Sequence, residues 1–102
     1  MPGRIMQLNF KFSFSGSEYE QAVSPIADQF AAVDGLRWKI WMINEAEGEA
    51  GGIYMFEDEA SLNALLEGPL TAQVIGHPAL SEFSVKQFDV MEKVTAVTRG
   101  PV

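Results

Sequence analysis

The sequence predicts an α+β fold in which strand, helix, strand, strand, helix and strand follow one another, and three observations carry that prediction. Met6, Leu8, Phe10 and Phe12 alternate with Gln7, Asn9 and Lys11, which is the period of a strand with one apolar face. Tyr19, Ala22, Val23, Ile26, Ala27 and Phe30 recur at steps of three and four, which is the period of a helix. Residues 35 to 58 hold both tryptophans and the run Ala50-Gly51-Gly52-Ile53-Tyr54, and they divide into two strands joined by an acidic turn.

In order, the first strand covers 4 to 13, and a turn follows at Ser13 to Ser17. Ser17 and Glu20 fit a capping box that starts a helix over 18 to 33. Pro25 lies inside that helix and is expected to kink it, because the apolar period continues beyond it. Asp34-Gly35 is the stop. Leu36 to Ile43 and Ala50 to Phe56 are the next two strands, with a loop at Asn44 to Glu49. Asp58 is an N-cap for a second helix carrying Leu62, Leu65 and Leu66; Gly68-Pro69 ends it and can open a short extra turn that stops at Gly76. Residues 82 to 91 alternate again, with Phe83 and Val85 on one face and Phe88 and Val90 on the other. The segment 93–102 shows no period and is expected to be extended. Right-handed crossovers then give a ferredoxin-like βαββαβ domain over 1–102, with a four-stranded antiparallel sheet in the order 4-1-3-2.

By parity, Trp38 shares a face with Leu36, Ile40 and Met42, and Trp41 shares one with Arg37, Lys39 and Ile43. Helices on one side can cover only one of these faces. The other would expose large apolar groups, which predicts a homodimer with sheet packed on sheet.

The chain of 102 residues has no cysteine, so disulfides, thiolate metal sites and cysteine nucleophiles are excluded. Its net charge is −7 and its seven Lys and Arg are scattered, which argues against nucleic acid and against anionic membrane. The opening Met-Pro-Gly-Arg-Ile-Met-Gln is not a secretory apolar core, and the expected location is cytoplasmic.

Several residues carry candidate chemistry. Trp38 and Trp41 are first of all packing residues, but either can also wall a flat ligand and donate an indole N–H. Gly51 and Gly52 before Tyr54 mark a bulge or the close approach of a backbone or ligand. Gln7, Asn9 and Lys11 share one face of a central strand, so they are wet, paired across a dimer, or lining a cavity. His77, the only imidazole, stands beside Pro78 in a loop and is expected to be solvent-exposed; a histidine-built metal site has no second ligand. Glu45, Glu47, Glu49, Glu57, Asp58 and Glu59 lack the spacing of a calcium loop and read as a solvated hairpin tip and helix start. No phosphate loop, dinucleotide fingerprint or nucleophile elbow is present.

Trp38-Lys39-x-Trp41, Glu49-Ala50-Gly51-Gly52-Ile53-Tyr54-x-Phe56-x-Asp58-Glu59 and Phe88-Asp89-Val90-x-Glu92 together resemble the YdhR mono-oxygenase family, colinearly from about Gln7 to Glu92. The resemblance implies a dimeric α+β barrel. Its wider superfamily includes oxygenases that oxidise phenolic compounds without metal, flavin or haem, as well as isomerases, haem-degrading enzymes and ligand-binding regulators, so fold alone does not fix the chemistry. The expectation is a cofactor-independent monooxygenase acting on a small aromatic. Tyr54, Asn9 and Lys39 are its catalytic candidates, with Trp38, Trp41 and Arg37 as substrate-binding ones. The alternative is a dimer that binds or isomerises a small ligand, since no obvious base or nucleophile stands out.

Overall fold

The computed structural model describes residues 3–102; Met1 and Pro2 lie outside the described residues. Arg4–Phe12 is β1, which pairs antiparallel with β3 (Glu49–Phe56) on one side and β4 (Leu80–Asp89) on the other. β2 (Leu36–Asn44) adds to β3, giving the order β2-β3-β1-β4, the expected 4-1-3-2 read in reverse. α1 (Gly16–Ala31) and α2 (Glu59–Leu66) supply the helical cover, followed by α3 (Pro69–Ile75). Met6, Leu8, Phe10 and Phe12 of β1 meet Tyr54 and Phe56 of β3, Tyr19 and Phe30 of α1, and Leu62 and Leu65 of α2 in one buried cluster. This is the face that period two assigned to the core.

The helix caps show what sets the element ends. Two overlapping Ser-x-x-Glu sequences compete at the start of α1. The structure uses the earlier one: the Ser15 hydroxyl accepts from Glu18 N–H at 3.2 Å, and Ser15 N–H donates to Glu18 Oε1 at 3.1 Å. The expected Ser17/Glu20 box is therefore displaced by one pair. Starting earlier also exposes Gly16 N–H to the Glu45 carboxylate at 3.2 Å, an acid well placed at a helix N-terminus. α1 runs through Pro25 and ends at Ala31, before the expected stop. Gly35 takes a left-handed φ of 81° in the turn into β2, and a side chain there would overlap Ser61 of α2. Asp58 caps α2 by accepting from Ser61 N–H at 2.8 Å, and that bond holds its carboxyl below the usual range.

Two bulges set which side chains share a face. One sits at Arg37: Leu36 opposes Phe56 while Trp38 opposes Met55. Leu36 therefore packs on the core, not beside Trp38 as parity predicted. The second lies in β4, where the register shifts between Asn9 and Lys11, and Glu82 there has a φ of 54°. β3 itself keeps unbroken register through Gly51 and Gly52, so the glycines serve close approach and not a bulge. A Cβ at Gly51 would strike the Leu8 carbonyl oxygen. The segment expected to be extended instead forms a short helix, α4 (Glu92–Val97), and then folds back so that Trp38 donates its indole N–H to the Pro101 carbonyl at 2.8 Å.

Candidate functional site

A cavity of about 270 Å³ opens between α1, the covered face of the sheet and the segment joining α3 to β4. The register builds its floor. Lys39 opposes Tyr54 and Trp41 opposes Gly52 across β2 and β3, so all four positions face the helices. Gly52 matters through what it lacks: a Cβ there would lie 2.9 Å from Lys39 Cε and 3.1 Å from Tyr54 Cε1. The missing side chain lets the lysine stem lie across the sheet.

Lys39 Nζ ends over three rings, 3.3 Å from the centroid of Trp41, 3.7 Å from Phe30 and 4.5 Å from Tyr54. Trp41 meets Phe30 edge to face at 5.6 Å, which fixes the cage. Among the described residues the ion pairs all belong to Arg4, so no carboxylate neutralises this amine. Burial pushes the Lys39 amine down to about 7. The ring faces act in the opposite sense and favour the ammonium by about 1–2 kcal/mol. The result is a base that can exist in both forms near neutral pH.

Two phenols line the same cavity. Burial pushes the Tyr19 hydroxyl up to about 12, and burial together with nearby Tyr19 pushes Tyr54 higher still. Both stay protonated and are donors, not bases. His77 also lines the cavity. Its Nδ1 accepts from Ala79 N–H at 3.1 Å, which assigns the proton of the neutral ring to Nε2, and its ring packs 5.7 Å from Phe14. The expected solvent-exposed histidine is thus a half-buried wall residue. The signal was available in the topology: Leu80 opposes Phe12, so the loop before β4 must pass the end of β1, where α1 begins.

The sequence candidates divide between the two faces. Tyr54, Lys39 and Trp41 come together in the cavity. Asn9 lies on the opposite face, where it accepts from Gln7 and donates to Glu49, both at 3.3 Å. Trp38 is on that face too, tied to Pro101. Arg37 is exposed at the β2 bulge. The hairpin acids have local tasks: Glu45 caps α1 and Glu49 holds Asn9. Among the described residues no three His, Asp or Glu side chains gather as a metal site would need.

This sheet-and-helix arrangement defines a ferredoxin-like α+β protein. The structure is similar to a protein of unknown function from Nitrosomonas europaea, at 16% identity with a TM-score of 0.75, covering 89% of this chain and 91% of that one. It is similar to SnoaB, a cofactor-independent oxygenase from Streptomyces nogalater, at 16% identity and a TM-score of 0.73, covering 92% of this chain and 98% of that one. It is also similar to the heme-degrader MhuD of Mycobacterium tuberculosis, at 19% identity and a TM-score of 0.66, covering 85% and 95%. At these identities the likeness is one of fold. Among curated proteins none matches the chain. The family model described as "Putative mono-oxygenase ydhR" matches residues 5–101, and the chain belongs to that family.

Proposed function

We propose that the protein is a cofactor-independent monooxygenase for a small phenol or enol bound in the cavity between α1 and the sheet. The observation that carries this reading is the Lys39 amine, caged by three rings, free of a carboxylate and facing the same space as two protonated tyrosines. Membership of a mono-oxygenase family supports it.

The neutral Lys39 amine takes the hydroxyl proton of the substrate. The resulting ammonium and the tyrosine hydroxyls stabilise the oxyanion in a site lined mainly by apolar side chains. The substrate anion supplies the electrons. Its ring carbon bonds to molecular oxygen, and the ammonium returns the proton to give a hydroperoxide. That carbon then loses its remaining hydrogen as a proton, the O–O bond breaks, and a carbonyl and water result. One oxygen atom enters the product and the other leaves as water. Trp41 and Phe30 present flat walls that suit an aromatic substrate.

The sheet face bearing Asn9 and Trp38 is assigned by the same reading to a second copy of the chain. Ile40 is 50% exposed and Phe88 49% exposed there, which a lone domain of this size has no use for. Asn9 then acts in the dimer interior, not on the substrate.

The test is oxygen uptake by metal-free, flavin-free protein given an activated phenol. Uptake is expected in the wild type, with loss of roughly 10²–10⁴-fold in Lys39→Met, the usual worth of a general base. Tyr54→Phe should lose about 10²–10³-fold, the usual worth of one oxyanion donor. Uptake that appears only on adding flavin or metal rules this mechanism out. A phenol that raises the melting temperature but is recovered unchanged makes the protein a binding dimer.

A further inference from the structure

We infer that Lys39 is also a nucleophile, and that the cavity forms a reversible imine between its Nζ and a small aromatic aldehyde or ketone. The inference goes beyond oxygenation and does not depend on it, since no oxygen or electron transfer is involved.

Three features of the cavity point to this chemistry. The amine has no carboxylate or hydrogen-bond partner among the described residues, so no ion pair or hydrogen bond competes for the neutral nitrogen. It sits against the rings of Trp41, Phe30 and Tyr54, so an aromatic carbonyl stacked in the cavity brings its reactive carbon to the nitrogen. Tyr54 and Tyr19 stay protonated through the physiological range and can relay a proton to the carbonyl oxygen. A lysine desolvated in an apolar pocket is the usual form of an imine-forming amine.

The step balances without a further reactant. The Nζ lone pair attacks the carbonyl carbon, and the carbonyl π electrons move to oxygen. A proton passes from nitrogen to that oxygen by way of a tyrosine hydroxyl, giving a carbinolamine. The nitrogen lone pair then expels the hydroxyl, which takes a proton from a tyrosine hydroxyl and leaves as water. The iminium nitrogen returns its remaining proton to that tyrosine, so that one C=N bond replaces one C=O bond. Hydrolysis reverses the sequence.

The other lysines provide an internal control. Lys11 is bonded to the Glu47 carbonyl at 3.3 Å, and Lys86 and Lys93 are exposed. The experiment treats the folded wild-type protein at pH 7 with benzaldehyde and cyanoborohydride, which traps an imine as a stable benzylamine. Intact mass and peptide mapping then locate the product. Apart from any label on the chain's α-amine, one benzyl group is expected, on Lys39, formed at least about tenfold faster than on any other lysine, because a lysine of ordinary basicity is almost wholly protonated at this pH. The α-amine's ordinary pKa of about 7.7–8 leaves it reactive at this pH, and peptide mapping separates it. The preference should vanish in urea. Lys39→Arg, which keeps the charge but cannot form an imine, should leave only the slow background. Labelling spread evenly over Lys11, Lys39, Lys86 and Lys93, or no labelling of Lys39, overturns the inference. Because mapping on the wild type decides the matter, the result does not rest on a variant folding. Oxygen uptake with phenols is measured separately, so either chemistry can fail alone.

Discussion

At the scale of the residue, Lys39 should announce itself in the pH dependence of stability. In the unfolded chain the amine titrates near its ordinary 10.5, and in the folded protein near 7. Between those values the unfolded state binds the extra proton, so stability rises with pH across that window. Below it both states are charged, and the fold carries the full cost of burying an ammonium. Above about pH 10 the two raised tyrosines reverse the trend, because the unfolded state ionises first. Lys39→Met lacks the lysine contribution and keeps Tyr19, Tyr54 and His77, which cancel in the comparison. The variant should be the more stable protein at pH 6, and its lead should shrink by roughly 2 kcal/mol by pH 10, after allowing for the ring contacts and partial solvent access. That is a closing gap in melting temperature on the order of 10 °C. A gap that stays constant with pH would mean that Lys39 is charged throughout. Much of this site could be read from the sequence. Parity placed Lys39 with Trp41, and Tyr54 stood out after two glycines. The cage could not be read, because it depends on Gly52 leaving space for the lysine stem and on Phe30 arriving from α1. The sequence cannot separate Asn9 and Trp38 from the site, because a strand pattern gives two faces without saying which one the helices cover.

At the scale of the element, local signals decided existence and long-range contacts decided ends. All four strands and both main helices follow from their periods, whereas α4 has too short a stretch, Glu92–Val97, to show one. The start of α1 is the instructive case, because Ser15 and Ser17 offer the same capping chemistry three residues ahead of a glutamate. The earlier box prevails where Glu45 of the hairpin supplies an extra acceptor to Gly16 N–H, and Tyr19 stacks on Phe12 at 5.4 Å. Ser15→Ala should therefore cost about 0.5–2 kcal/mol in urea unfolding. Ser17→Ala, inside the helix and exposed, should change stability by less than about 0.5 kcal/mol. Equal losses from the two substitutions would place the cap at the later serine. The Arg37 bulge makes the complementary point. One extra residue in β2 moves Leu36 from the open face to the core, which no count of alternating residues can foresee.

At the scale of the whole molecule, the open sheet face divides into an apolar end and a polar end. Trp38 and Phe88 lie towards one end, Asn9, Lys11 and Glu49 towards the other, and Ile40 and Gln7 share the row between them. Trp38 is partly covered by the chain's own returning segment through Pro101, but Ile40 and Phe88 are not withdrawn from water. Pairing two copies about a two-fold axis would bury both residues twice over, and it would give the Gln7, Asn9 and Glu49 array a partner of the same chemistry. Light scattering on the wild type should therefore return the mass of two chains at micromolar concentration. Ile40→Lys tests the face without disturbing the fold, because its side chain points away from the helices and is already half exposed. It would bring a charge into the interface from each copy, and should weaken association by about 2–5 kcal/mol. The variant should run as a monomer with an unchanged far-ultraviolet spectrum. It should still bind a phenol, since the cavity is lined by α1 and the covered face of the same chain. A wild type that scatters as a single chain would leave Ile40 and Phe88 without the partner assigned to them. A monomeric variant that has lost its phenol binding would show instead that the second copy helps to hold the cavity closed.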